Sequence, residues 1–157
     1  MTLQYNRQLI ISAAGNRKAT NWPTQVLYWS EIIERLRTAV RGTETLAEYL
    51  AMPKSQQDDL KDVGGFVGGE LSGGRRKASA VVGRDLITLD LDQIPPFTTD
   101  DVLRRIDGLG CAYVVYSTRK HAPDRPRLRL IVPTDRTMTP DEYEPIARKL
   151  AQMVGIE

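Results

Sequence analysis

Apolar and polar positions alternate along Asp85-Leu86-Ile87-Thr88-Leu89-Asp90-Leu91-Asp92 with the two-residue period of a strand. Ile87, Leu89 and Leu91 then share one face, and Asp90 and Asp92 project together from the other. Upstream, Leu9–Ala14 reads as a short strand followed by a polar loop, Gly15–Asn21. Ile32, Ile33, Leu36 and Val40 recur at helical spacing, which predicts a helix capped by Ser30 and ending at Gly42. A second helix is expected over Thr43–Ala51, burying Leu46, Ala47 and Leu50, and a short polar third one over Pro53–Leu60. Trp22, Tyr28 and Trp29 precede these helices and read as packing residues.

From Lys61 to Gly69, glycine pairs flank Phe66-Val67. Such a segment is either a strand closely approached by another backbone or a ligand, or a glycine-rich hairpin, and glycine's frequency in turns favours the hairpin. A turn at Ser72–Gly74, a strand over Ala78–Val82 and a turn at Gly83–Asp85 complete the approach to the alternating strand. Beyond it, Pro95-Pro96 breaks the chain, and Thr98 or Thr99 caps a helix with Asp100 and Asp101 in its first turn and Val102, Leu103 and Ile106 inward. Cys111–Ser117 and Arg127–Val132 are strands, the second closed by Pro133. Thr139-Pro140-Asp141-Glu142 opens a last helix with a capping box and a buried stripe of Tyr143, Ile146, Ala147, Leu150 and Val154.

The order from Leu86 onward is strand, helix, strand, strand, helix. The fold class expected is therefore α+β, with an RRM-like or ferredoxin-like split βαβ core sheet behind an N-terminal helical and hairpin segment. That topology needs one more strand after the second helix, so the 157 residues read either as a fragment of a longer protein or as a sheet whose open edge an N-terminal strand fills. The organisation expected is one domain, with residues 1–60 a mostly helical lead-in and residues 61–157 the glycine-rich hairpin and core sheet.

Composition changes this picture little. Twenty-two basic and twenty acidic residues nearly cancel, so any nucleic-acid role has to rest on local clustering. The single cysteine, Cys111, excludes an intrachain disulfide and a cysteine-based zinc site. No run approaches the ~18 apolar residues of a membrane span, and a soluble, cytoplasmic protein with no membrane partner is the expectation.

Clustering does occur. Arg75, Arg76, Lys77 and Arg84 fall between Gly73 and Arg84 with no acid among them, as in a solvated hairpin tip or the wall of a groove for phosphates. In a split βαβ sheet the strand of Asp90 and Asp92 neighbours the strand of Arg127 and Arg129, which puts acids and bases on one open face. The loop joining the second and third strands, extended through Arg129, carries five basic residues, the only histidine, His121, and one acid, Asp124. Asp-x-Asp is equally the spacing of two exposed strand-end residues and of a divalent-metal site, and the basic surroundings suit a nucleoside triphosphate.

Leu86–Asp92, then Tyr116-Ser117-Thr118-Arg119-Lys120-His121-Ala122-Pro123-Asp124-Arg125-Pro126-Arg127-Leu128-Arg129-Leu130, then Pro133 and Asp141-Glu142-Tyr143 closely resemble the archaeo-eukaryotic primase superfamily, above all the primase-polymerase domains of phage, prophage and plasmid replication proteins. The resemblance implies Asp90 and Asp92 as ligands of Mg²⁺ or Mn²⁺ and His121 as a catalytic-site contact to the nucleotide's phosphates. Ser117 would join it there, at a longer spacing than the tight Ser-x-His of some members, with Arg119, Lys120, Arg127 and Arg129 as further nucleotide-binding residues. Arg75, Arg76, Lys77 and Arg84 would track nucleic acid. The activity implied is two-metal nucleotidyl transfer on a DNA template from nucleoside triphosphates, in a parent chain that could carry a helicase domain. The family's third acidic residue, on the strand after the second helix, has no counterpart before Glu157, so this chain alone is expected to bind metal weakly and polymerise little or not at all. The alternative is a non-catalytic module on the same fold that binds single-stranded nucleic acid or another protein.

Overall fold

The computed structural model describes residues 3–156 as five helices and two antiparallel sheets. β1 (Gln8–Ala14), β2 (Thr24–Tyr28) and β3 (Gly65–Val67) form one sheet in the order β2-β1-β3. β4 (Gly69–Leu71), β5 (Val81–Leu91), β6 (Val114–Ser117) and β7 (Leu128–Met138) form the other, in the order β4-β5-β7-β6. The helices are α1 (Trp29–Arg37), α2 (Leu46–Ala51), α3 (Lys54–Leu60), α4 (Thr99–Asp107) and α5 (Pro140–Met153).

From β5 onward the expected order holds: β5, α4, β6, β7, α5, with β5 and β7 adjacent and β6 outside β7. Ile87, Leu91, Leu128, Leu130 and Val132 pack under Val102 and Ile106 of α4 and Leu150 of α5. Leu86 and Ile131 pack on the opposite side, against Leu9, Ile11, Leu27, Trp29 and Ile32 of the smaller sheet and α1. The central pair therefore buries both faces where Leu86 and Ile87 of β5 run beside Leu130–Val132 of β7, which explains why the apolar runs exceed strict alternation. The end of the pair, where Asp90 faces Arg129 and Asp92 follows just beyond β5, keeps one face uncovered.

The edge of β5 away from β7 is filled by β4, an upstream strand, through the pairs Gly69↔Arg84, Glu70↔Gly83 and Leu71↔Val81. Its ladder stops there. At Thr88 the Tyr143 hydroxyl of α5 takes over, accepting from the Thr88 N–H and donating to the Thr88 C=O, both at 3.3 Å. One phenol thus satisfies two backbone groups that an edge would leave bare.

Several expectations are corrected. The glycine-rich stretch is not a hairpin: β3 and β4 are successive parts of one extended segment that passes from the smaller sheet to the larger. Close approach of the neighbouring strand is the reason for its second glycine pair. A Cβ on Gly69 would stand 2.0 Å from the Gly83 carbonyl oxygen, and one on Gly68 would stand 2.7 Å from the Leu86 Cβ. The hairpin is instead β4 to β5, joined through Ser72–Ala80. Gly83–Asp85 makes no turn, because ladder bonds on both sides hold β5 extended from Val81 to Leu91. Pro133 does not close its strand either. It pairs with Leu86, the ladder breaks, and pairing resumes at Met138↔Arg84, leaving residues 134–137 looped out opposite Asp85 alone. Proline lacks the N–H needed to continue the ladder, so a bulge begins there.

Within the lead-in, residues 1–60 include β1 and β2, and β2 has no counterpart in the sequence reading. α1 stops at Arg37 with Val40 exposed, short of Gly42. α2 starts only after Thr45, whose hydroxyl and Glu48 form the capping box, and it buries Tyr49 while Ala47 and Leu50 are exposed. Trp22 and Trp29 are buried as expected, whereas Tyr28 is exposed.

Asp85 is the joint between the sheets. It is 1% exposed, yet its carboxylate accepts from the Ile10 N–H at 2.7 Å, the Thr137 hydroxyl at 2.6 Å and an Arg7 Nη2 at 3.3 Å. The looped-out bulge of β7 supplies Thr137, and β1 supplies the amide. A buried carboxylate needs such donors to offset its desolvation.

Candidate functional site

The uncovered face is organised by cross-strand register. Asp90 stands opposite Arg129, and Arg129 opposite Tyr116, so one row crosses β5, β7 and β6. Arg129 Nε donates to Asp90 Oδ1 at 2.6 Å, and Arg127 Nη1 to Asp92 Oδ2 at 3.4 Å. Directly opposed residues share a face, so the acids and bases come together as the topology predicted. Both carboxylates stay open to water, with side-chain exposures of 64% for Asp90 and 54% for Asp92. Desolvation works against the charged form of the half-buried Arg129, but its hydrogen bond and Coulomb attraction to Asp90, helped by Tyr116, outweigh it and raise its pKa.

The loop between β6 and β7 is held as a closed hairpin by Thr118 N–H to Arg127 C=O at 3.1 Å and by paired bonds between Ala122 and Arg125. Inside it, the Arg127 N–H donates to His121 Nδ1 at 3.1 Å. A backbone amide can only donate, so Nδ1 is the acceptor and the neutral ring carries its proton on Nε2. The lone histidine is thereby fixed to Arg127, two residues before Arg129, with one donor free.

Other predicted residues lie elsewhere. Ser117 is in register with Leu128, whose side chain is in the helix-side core, so the strand pleat turns Ser117 away from the carboxylate face. Arg119 is ion-paired with Glu44, donates to the Leu60 C=O at 3.3 Å and lies 4.6 Å over the Tyr49 ring, and Lys120 lies 6.0 Å over the same ring. The α2–α3 segment thus clamps the base of the loop and occupies both cations.

Arg75, Arg76 and Lys77 occupy the β4–β5 connection, beside the opposite end of β5. Arg84 is six residues along the strand from Asp90, roughly 20 Å away. Arg76 stacks over Trp22 at 4.8 Å and Arg84 over Tyr143 at 3.9 Å. Two shallow grooves meet at Arg76 and Lys77. One, of about 350 Å³, adds Arg84, Phe66 and Thr88, and the other, of about 400 Å³, adds Arg17, Arg75 and Trp22. No carboxylate lines either groove.

Sequence reasoning passed over Asp85, Tyr116 and Tyr49. Tyr116 follows from strand alternation once its register with Arg129 is known, but nothing in the sequence fixes that register. The pairing of Tyr49 with the basic loop has no local signal.

Among the described residues no group of three or more His, Cys, Asp or Glu is placed to hold a metal ion. Two exposed carboxylates on one face do match the way Mg²⁺ binds where most of its shell comes from water and substrate phosphates. Asp90 and Asp92 fit a hard divalent cation on those terms.

Fold and site together define an α+β domain with a split βαβ sheet and an exposed acid–base face. The chain belongs to the VapE N-terminal domain family, whose model matches residues 1–157. That places it among the VapE proteins associated with phage and plasmid replication. No curated protein and no solved structure matches it. No helix is long and apolar enough to cross a membrane among the described residues.

Proposed function

We propose that this domain binds a nucleoside triphosphate with Mg²⁺ or Mn²⁺ over Asp90 and Asp92, as the part it supplies of a site that joins nucleotides on a DNA template. The observation that carries the reading is two exposed carboxylates each paired with an arginine, Asp90 with Arg129 in register and Asp92 with Arg127 just beyond the ladder, with His121 bonded to the Arg127 amide. In the resting site Asp90 and Asp92 are neutralised by Arg129 and Arg127. Asp90 and Asp92 would hold the cation, and the guanidinium groups of Arg129 and Arg127 would turn to the phosphates, whose oxygens match the planar fork. The exchange keeps every charge paired. The Nε2–H of His121 is then a donor for a phosphate oxygen. A bound divalent cation would activate the attacking 3′-hydroxyl and stabilise the leaving pyrophosphate.

The carboxylate-free grooves at Arg75, Arg76, Lys77 and Arg84 favour a second reading, a non-catalytic module that holds single-stranded nucleic acid. The two part at Asp90. Titration with a fluorescent nucleoside triphosphate should give binding strengthened by Mn²⁺ and lost in Asp90→Ala. Unchanged single-strand binding in that variant, with no nucleotide affinity in the wild type, would establish the module instead.

A further inference from the structure

The connection from β5 to α4 contains a residue in a conformation that disfavours it. The Thr98 N–H donates to the Pro95 C=O at 3.3 Å, so residues 95–98 form a β-turn with Pro96 second and Phe97 third. Phe97 has φ = 61°, the one positive φ outside glycine among the described residues. Proline followed by a left-handed residue is a type II turn, whose third position ordinarily takes glycine or asparagine. A side chain with a Cβ is strained there, and a bulky aromatic more than most. Burial does not offset that strain, because Phe97 is 76% exposed, the most open of the large apolar side chains.

The turn is also anchored at the candidate site. The Phe97 N–H donates to the Pro123 C=O at 2.8 Å, and Pro123 lies two residues from His121 in the closed loop. On its other side the chain leaves the face at Asp92, five residues upstream, through a rigid Pro95-Pro96 pair. Phe97 is thus tied to both halves of the site, the carboxylate strand and the histidine loop. Strain retained where nothing in the fold requires it points to a role for the ring.

We propose that Phe97 is a stacking platform for a nucleobase at the mouth of the carboxylate site. The inference rests on reading that site as one that handles nucleotides. Every base has a flat face, so stacking on an exposed ring tolerates any sequence and complements the phosphate-directed charges beside it. The base belongs either to the bound nucleotide or to a single strand.

Phe97→Asn suits the left-handed backbone and removes the ring, whereas Phe97→Tyr keeps it. Affinities should be measured by fluorescence anisotropy for a single-stranded DNA oligonucleotide and its abasic counterpart, and for ATP and inorganic tripolyphosphate with Mn²⁺. Phe97→Asn should melt no lower than the wild type, yet lose about 5- to 150-fold in affinity for one base-bearing probe. Its affinity for the baseless partner should not change, and Phe97→Tyr should stay within about twofold. Loss on the oligonucleotide assigns the stack to a single strand, and loss on ATP assigns it to the nucleotide. The proposal is overturned by undiminished affinity for both base-bearing probes, by an equal loss on the baseless ones, or by a fall in melting temperature that marks Phe97 as a packing residue. If Asp90→Ala abolishes nucleotide binding and Phe97→Asn changes nothing, stacking fails and the metal site stands. If the wild type binds the oligonucleotide through Phe97 but no nucleotide, the metal site fails and stacking stands. Binding of neither probe overturns both.

Discussion

Asp85→Ala tests how the two sheets are held together. In the folded protein this 1%-exposed carboxylate accepts from the Ile10 amide, the Thr137 hydroxyl and Arg7. Arg7 loses least by the change, because it keeps the Thr134 C=O at 2.7 Å and the Gln8 C=O at 3.0 Å and its side chain is 29% exposed. The cost falls on Ile10, whose orphaned amide alone should lose roughly 1–3 kcal/mol. The charge-assisted bond from Thr137 and the vacated volume bring the total to about 3–5 kcal/mol, a large part of the ~5–15 kcal/mol that stabilises a domain. Asp85→Asn keeps the volume and one acceptor but turns an NH₂ group toward a donor, so about 1.5–3 kcal/mol is expected. Urea denaturation followed by far-ultraviolet circular dichroism measures both, with an unchanged m-value. A value under ~1 kcal/mol for the alanine, or an asparagine indistinguishable from wild type, would refute the joint.

Gly69→Ala should destabilise by roughly 1–3 kcal/mol or more, because its Cβ would meet backbone, the Gly83 carbonyl at 2.0 Å. Gly15→Ala, with nothing within 4 Å, is the matched control in the same melts and should be near neutral. Glu142 is held at about 2, below its ordinary 4.5, first by the Arg136 guanidinium and then by the Thr139 amide. A depressed carboxyl stabilises the fold above 4.5 and loses that contribution as pH falls through about 2. The stability gap between wild type and Glu142→Gln should therefore be widest near neutrality and close progressively as pH falls from about 5 to 2. A gap that is constant with pH would rule out the ion pair as its source. Finally, Asp90→Ala and Arg129→Ala should each cost under ~1 kcal/mol in the same denaturation, since the pair is exposed. A larger loss would make the pair part of the scaffold.

The sequence by itself determined the elements whose signals are local. Alternation around Ile87, Leu89 and Leu91 specified β5 and the shared face of Asp90 and Asp92. The capping box at Thr139 and Glu142 specified the start of α5, and the strand-helix-strand-strand-helix order specified which strands would be neighbours. These follow from period, cap chemistry and chain connectivity, each expressed within a few residues.

Tertiary structure decided what depends on two distant segments meeting. The glycines at 68 and 69 look like turn residues until Leu86 and Gly83 press against them, and Gly83–Asp85 looks like a turn until β4 and β7 pair on either side. Ser117 lies four residues before His121, yet its register with Leu128 turns it from the acids. Arg119 and Lys120, basic residues in a basic loop, are taken up by Glu44 just before α2 and by Tyr49 within it, about seventy residues away in sequence. The physical reason is the same in each case. Backbone pairing and ion pairing act through space, and a residue's partner, unlike its periodicity, is not written beside it.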